Sequence, residues 1–553
     1  MKSIATVAWI AGFTFVGLAM LVQGILPALA PETRTTRVTR AVRTELGDVK
    51  WVRHDASDYT ALEQRGRGVY IREGCWYCHS QYVRPVAGED FRWGPVSEAG
   101  EYAHDQPHLL GTRRIGPDLT RVGLKYSDDW HYAHTWDPRI TVPESIMPRF
   151  KWLFETADIR VGGGIKTGDV LADSPALRRW FTMRADRNVT LFVNGALQAF
   201  VRPGPSGFPV DGRPVLDTSL LGDDVALGRS RDGGTIRLIA PSADMIALVR
   251  YLQKLGTNRG AWRDVFEPQN AAVAGSGIPD TEANRELGKE VFEAHCVGCH
   301  GERGNGAGPA ATFLWPLPRD FTAGVFKFRT TPSGTLPTDG DLVRTITRGV
   351  RWTAMPTWHE VGEKERLAVV TYLKTLSRRW KEDATEAPLV IPPAPRATPQ
   401  LLVEGKALYE RAKCAECHGE TGKGDGPSAG TLKDDFERPI QPADFTRGEL
   451  KAGATVADVY RTMTTGLDGT PMPSFADAMT DAERWAISYY VLSLSAWVDP
   501  LTGQRLPLSA EAKAALDAAA GTSRDPRDAF EPDTARRSTA GAARKLWPRG
   551  MKE

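Results

Sequence analysis

The sequence predicts a mainly α fold: a single N-terminal transmembrane helix, then three small helical domains, the first carrying a small β-containing insert. Three observations predict it. Residues 4–30, "IATVAWIAGFTFVGLAMLVQGILPALA", contain no charged residue. The pattern C-x-x-C-H occurs three times, at 75–79, 296–300 and 414–418. Two long stretches, 288–376 and 405–494, repeat one succession of motifs. A chain of 553 residues has room for on the order of three or four domains. Its net charge of +2 gives no footing for a nucleic-acid partner.

The apolar run comes first. At about 1.5 Å per residue it crosses a hydrocarbon core of about 30 Å. "ALA" at 28–30 resembles a leader-peptidase site, but the run is longer than a usual leader core and Pro31 would be the first mature residue. Residues 1–31 therefore read as a retained anchor in a membrane. Lys2 precedes the span, and Arg34, Arg37, Arg40 and Arg43 follow it. Charge alone would leave the long C-terminal part in the cytoplasm, although long domains cross largely regardless of charge. The arginine row reads as a solvated face, or as a contact with anionic lipid or a partner.

All six cysteines lie in the three motifs: Cys75 and Cys78, Cys296 and Cys299, Cys414 and Cys417. Two thiols about one helical turn apart reach the two vinyl groups of one haem, and the next residue turns its imidazole to the iron. That is the attachment pattern of haem c. A structural zinc site takes four N or S ligands and usually pairs two C-x-x-C units. A thiol-redox C-x-x-C needs no histidine after it. Three covalently bound haem c groups are expected, with His79, His300 and His418 as iron ligands. In bacteria this attachment takes place outside the cytoplasmic membrane. That outweighs the charge rule and predicts a single-pass protein of the bacterial cytoplasmic membrane, its haem domains on the periplasmic side.

The repeat extends beyond the cysteines. "GKEVFEAHCVGCHGERGNGAGPA" (288–310) matches "GKALYERAKCAECHGETGKGDGPSA" (405–429). "PRDFT" (318–322) matches "PADFT" (442–446), and "AMPTW" (354–358) matches "PMPSF" (471–475). Each stretch closes on a helical pattern, "ERLAVVTYLKTL" (365–376) and "ERWAISYYVLSL" (483–494). A helix into C-x-x-C-H, a loop-rich middle, a methionine loop and a closing helix make the class I cytochrome c domain pattern. The first unit follows it at greater length, from "ALEQRGRGVYIREGCWYCH" (61–79) through "ESIMPRFKWL" (144–153) to "ADMIALVRYLQKLG" (243–256). The expected domains are 50–260, 279–380 and 401–497.

Residues 157–242 form the insert of the first domain. Within it, "NVTLFVNGALQAFV" (188–201) places Asn194-Gly195 between two apolar runs, the signature of a hairpin with a type I′ turn. Residues 386–400, "EAPLVIPPAPRATPQ", hold five prolines and read as a semi-rigid spacer. The tail, 498–553, offers one alanine-rich helix candidate at 509–520 and otherwise the composition of a disordered segment.

Each iron needs a sixth ligand. Met147, Met355 and Met472 each precede a proline and lie 68, 55 and 54 residues after His79, His300 and His418. The ring removes a donor and fixes the turn, so the thioether can reach the iron from a loop. His/Met ligation gives the raised potential of an electron carrier. His108, His131 and His134 are rival ligands at the first haem, the last two on one helix face. A closed iron has no position for substrate, so no catalysis is expected from the chain alone, and no residue is assigned a catalytic role.

Residues 59–153 go further. "YTALEQRGRGVYIREGCWYCHSQYVRP", "GTRRIGPDLTRVGLKYSDDWHYAH" and "VPESIMPRFKWL" resemble the monohaem subunit II of cbb3-type cytochrome c oxidases, as does "YLQKLG" at 251–256. The resemblance carries haem attachment onto Cys75, Cys78 and His79 and axial ligation onto Met147. Residues 280–497 resemble the tandem domains of the dihaem subunit III of the same oxidases. Two departures stand out: both parts share one chain, and the 157–242 insert is enlarged. The resemblance implies a haem–copper catalytic membrane subunit as partner, and a soluble cytochrome c or other small donor. The expected order is donor, a haem of the C-terminal pair, the first haem, then the partner. The alternatives are the electron-input subunit of a nitric oxide reductase-like complex, or a free-standing anchored shuttle.

Overall fold

The computed structural model describes residues 4–30, 35–43, 49–123, 125–160, 189–193, 196–201, 235–260, 262, 277–314, 316–384, 386–436, 440–448, 450–453 and 455–495. The Asn194-Gly195 turn, the 509–520 helix candidate and the tail lie outside the described residues.

The chain is mostly helical and opens on one apolar helix, α1 (Ile4–Ala19), whose winding continues through Ile25. These 22 residues bear no charge and none is buried against protein. A helix this long and apolar, left uncovered, fits a transmembrane anchor.

A two-stranded antiparallel hairpin follows, β1 (Arg37–Arg43) with β2 (Val49–Asp55), in a register that pairs Arg40 with Val52. The arginine row is not a uniformly solvated face. Arg40 is buried, and the backbone of β1 is tied to the rest of the first unit. The Thr39 amide donates to Glu98 at 2.7 Å, and Glu98 also pairs with the fully buried Arg259 at 2.6 Å. Val38, Thr39, Arg40 and Ala41 are all buried, so both faces of the strand are covered, which the spacing of the arginines does not reveal.

The helices of the three units are α2 (Ala61–Arg72), α3 (Asp128–Trp136) and α4 (Ala243–Lys254); α5 (Glu282–His295), α6 (Asp339–Arg348) and α7 (Glu363–Leu373); α8 (Pro399–Arg411), α9 (Val456–Thr465) and α10 (Asp481–Ser493). In each unit the first helix crosses the last. A β-carbon on Gly66 would stand 1.9 Å from the Ala247 carbonyl oxygen; on Gly288, 2.0 Å from that of Ala368; on Gly405, 2.2 Å from that of Ala486. Only glycine allows the two backbones so close. One turn on, Tyr70 packs on Tyr251, Phe292 on Tyr372 and Tyr409 on Tyr490, with ring centroids 5.4, 5.3 and 5.3 Å apart. Thr60, Ser242, Thr281, Thr398 and Thr480 cap five of these six helices, each side-chain oxygen accepting an amide of the first turn. Each such cap contributes about 1 kcal/mol.

Between α3 and α4 the chain leaves the first unit at Leu153 and returns at Ser242, whose amide donates to the Leu153 carbonyl at 3.0 Å. The described strands there are β3 (Phe154–Arg160), β4 (Val189–Val193), β5 (Ala196–Val201) and β6 (Thr235–Pro241), in one antiparallel sheet of order β3-β6-β4-β5.

The units meet through two unlike seams. Between the first and second, one apolar cluster runs through both: Tyr132, Ala133 and Phe150 share it with Ala310, Phe313 and Leu314. Between the second and third, the contacts are polar. The fully buried Arg329 pairs with Asp468 at 2.6 Å and donates to the Thr465 carbonyl at 2.8 Å. Asp468 also accepts from the Gly334 amide at 2.9 Å, and Arg348 reaches Asp458 at 3.3 Å. The proline spacer is tied at both ends: the Leu389 amide donates to the Thr330 carbonyl and the Tyr489 hydroxyl to that of Pro395.

Candidate haem-attachment sites

At each C-x-x-C-H the chain makes one tight turn, Cys75–Tyr77, Val297–His300 or Ala415–His418. The amides of His79, His300 and His418 donate to the carbonyls of Cys75, Cys296 and Cys414 at 3.1, 2.9 and 2.9 Å. This winding places both thiols of each pair and the imidazole on one turn. All six thiols are free. Burial pushes those of Cys75, Cys296 and Cys299 up to about 12 and that of Cys414 up to about 11. Among the described residues no cluster of three or more His, Cys, Asp or Glu gathers as a metal site.

The histidines are held the same way three times. Nδ1 of His79 lies 2.8 Å from the Pro117 carbonyl, that of His300 2.9 Å from the Arg319 carbonyl, and that of His418 3.2 Å from the Ala443 carbonyl. A carbonyl only accepts, so the proton sits on Nδ1 and Nε2 keeps its lone pair for a metal. Burial lowers the pKa of all three imidazoles, that of His300 to about 4, and so keeps them neutral. The residue after each carbonyl is an aspartate, Asp118, Asp320 or Asp444, which accepts the amide of the threonine two positions on at 2.8–3.0 Å. In the second and third units the intervening phenylalanine stacks on the histidine: Phe321 on His300 at 4.5 Å, Phe445 on His418 at 4.4 Å. A further brace is a glycine before a proline. The amides of Gly116, Gly308 and Gly426 donate to the carbonyls of Cys78, Cys299 and Cys417 at 3.0, 3.1 and 3.2 Å.

Sequence reasoning paired "PRDFT" with "PADFT" but gave neither a role, and it missed their counterpart "PDLT" in the first unit. The signal was present: Asp-x-Thr follows a proline after every C-x-x-C-H.

The methionines lie on matching loops. Amides of Met355 and Met472 donate to the hydroxyls of Thr353 and Thr470 at 3.1 and 3.2 Å, and that of Met147 donates to Ser145 at 3.3 Å. The Met355 and Met472 carbonyls accept from the amides of Val350 and Leu467, each at 3.0 Å. Gly349 and Gly466, both at φ 66°, end α6 and α9 under those loops, where a β-carbon would strike the Met-Pro backbone. Each rival histidine has its own surroundings, and Nε2 of His131 is buried without a hydrogen-bond partner. Nδ1 of His108 meets the Asp105 carbonyl, and Nδ1 of His134 meets the Thr141 hydroxyl, each at 2.7 Å. His134 stacks on Trp130 at 4.5 Å, and His131 is buried on the same helix.

Comparisons with known proteins agree region by region. Residues 40–162 match the family described as cytochrome C oxidase, mono-heme subunit/FixO. Residues 283–373 match cytochrome C oxidase, cbb3-type, subunit III, and residues 402–495 match cytochrome c. A cbb3-type cytochrome c oxidase subunit CcoP of Azospirillum brasilense is 27% identical over 235 residues, 40% of this chain and 68% of that protein. The subunit CcoP of Azospirillum sp. (strain B510) is 26% identical over 238 residues, 40% and 69%. Among solved structures, a chain of the Kuenenia stuttgartiensis reducing HAO-like protein complex is 46% identical, covering 39% of this chain and 98% of its own, with a TM-score of 0.38.

Proposed function

We propose that this chain, which joins a region like the monohaem subunit of cbb3-type oxidases to a region like their subunit III, is a trihaem electron-transfer subunit of such an oxidase. It is anchored by α1 in the bacterial cytoplasmic membrane with its haem domains on the periplasmic side. It has three class I cytochrome c domains, 50–260 with the β-containing insert, 279–380 and 401–497. Cys75 and Cys78, Cys296 and Cys299, and Cys414 and Cys417 each hold one haem c by thioethers. His79, His300 and His418, with Met147, Met355 and Met472, would supply the iron ligands.

Bound haem c supplies a one-electron iron couple. The protein's share is to hold and tune it. The Pro117, Arg319 and Ala443 carbonyls fix each imidazole's tautomer and angle. The Met-Pro loops present a thioether, which raises the potential relative to a second imidazole. The C-terminal pair takes electrons from a soluble donor, and the first domain, tied through β1 to the anchor, passes them to the haem–copper subunit for oxygen reduction. The observation that carries this reading is the threefold pairing of two free thiols with a histidine whose Nδ1 is held by a backbone carbonyl, in regions matching the oxidase and cytochrome c families.

The test is to purify the chain from its own membrane in mild detergent. Three haems per chain by pyridine haemochrome and intact mass, and a co-purifying haem–copper subunit that consumes oxygen, are expected. Two or fewer haems, a chain that comes out alone, or a catalytic partner without copper would overturn it.

A further inference from the structure

The three C-x-x-C-H turns do not meet the same surroundings. In the second unit the residues between the cysteines are Val297 and Gly298, and Gly298 is buried. A β-carbon on Gly298 would stand 2.5 Å from the Ile140 carbonyl oxygen and 3.5 Å from that of Thr141. Those carbonyls belong to the turn between α3 and Met147, on the sixth-ligand side of the first site. The second haem-attachment turn is thus pressed, backbone against backbone, onto the first unit. Apolar packing continues the contact: Cys299 and Ala354, the latter next to Met355, share a cluster with Trp130, Ile140 and Met147. In the third unit the matching position is Glu416, which is exposed, and no residue of Ala415–His418 is buried. The third unit meets the second instead through its methionine loop, where Thr465 and Asp468 are held by Arg329.

We infer that the three haems form a single file, third to second to first, and that the electron crosses from the second to the first where the 297–299 turn lies on Ile140–Thr141. With haem c bound at both sites, the transfer would carry one electron from the site of Cys296, Cys299 and His300 to the site of Cys75, Cys78 and His79, with no proton or bond changing hands. Gly298 is a positioning residue: its missing side chain sets how closely the second site approaches the first. The first haem then receives no electrons directly from the third, whose attachment turn is left open to solvent and to the donor. The inference rests on the proposed trihaem reading and says which member of the C-terminal pair feeds the first haem.

The test uses the full-length chain. Gly298→Ala should force the seam apart, and Phe313→Ala should loosen it without touching the cysteine spacing. Haem content and mass report first whether three haems are attached, so failure of the trihaem reading shows separately. Amide hydrogen exchange should rise at 138–142 and 297–300 in both variants. Rapid-mixing reduction by a soluble donor should still fill the third and second haems, and the fast phase of first-haem reduction should be lost. The midpoint potentials of the first and second haems should not move, whereas damage to either site would shift them. If exchange rises at the seam in either variant and the fast phase survives, the single file is wrong. If Gly298→Ala does not fold, Phe313→Ala decides alone.

Discussion

In the second unit the turn between the cysteines is Val297-Gly298; in the third it is Ala415-Glu416. Around that difference the two units are nearly superimposable in their devices. Gly288 and Gly405 seat the first helix on the last, Phe321 and Phe445 stack on the histidines, and Gly349 and Gly466 turn the chain into the methionine loops. What is repeated frames each C-x-x-C-H turn, and what differs decides what each unit touches. Gly298 admits the backbone of the first unit, whereas Glu416 keeps its turn in water. The seams differ likewise: the second unit meets the first through apolar packing and the third through buried ion pairs.

The largest effect should come from breaking the polar seam. Asp468→Ala leaves the guanidinium of Arg329 buried without its carboxylate. Removing one partner of a buried pair typically costs about 3–5 kcal/mol. Arg329 keeps its bonds to the carbonyls of Phe326, Pro332 and Thr465, so the low end, about 3 kcal/mol, is expected. Calorimetry of the full chain should show the second and third units melting earlier. An unchanged trace would mean that this pair does not hold the units together.

A smaller effect tests the shared framework. Gly288→Ala and Gly405→Ala each push a methyl group against a carbonyl oxygen 2.0 or 2.2 Å away. Overpacking of this kind costs about 1–3 kcal/mol, and the two units should lose about equally in urea unfolding. A silent Gly405→Ala would break the equivalence of the two crossings.

Much of this was legible in the sequence. The anchor, the cysteine motifs and the methionine loops are local patterns, and each carries its chemistry in a few adjacent residues. The tandem repeat made the matching loops of Met355 and Met472 readable by agreement between copies. Three things were not legible, for one physical reason. Gly66 acquires its meaning from Ala247, Gly298 from Ile140, and Arg40 from the fold of a hairpin onto Glu98 and Arg259; none is a neighbour in sequence. A glycine that permits a close approach looks like any other until the approaching backbone is known. The Asp-x-Thr brace in the first unit was hidden differently, because Leu119 replaces the phenylalanine that made "PRDFT" and "PADFT" look alike.

The smallest expected effect separates the seams by acidity. His131 lies buried on α3, and burial lowers its pKa to about 4. Its unfolded value is about 6.5. Between these two values the unfolded first unit binds a proton that the folded one refuses, so stability falls as pH falls through this window. At about pH 5.5 the loss from His131 alone is about 1 kcal/mol. The seam between the second and third units behaves differently. Burial pushes the Asp458 carboxyl up, but the guanidiniums of Arg461 and Arg348 outweigh it and hold its pKa below the usual carboxylate value. That contribution is complete above the unfolded value of about 4 and is lost only as pH falls further, through the folded value. Amide exchange at about pH 5.5 should therefore rise, relative to neutral pH, in 128–136 and leave 455–465 protected, by the same linkage. His131→Gln should remove only part of the α3 response, because burial lowers the pKa of His134 on the same helix to about 3, and should leave the other segment unchanged. Equal loosening of both segments at that pH would show that the two seams do not titrate independently.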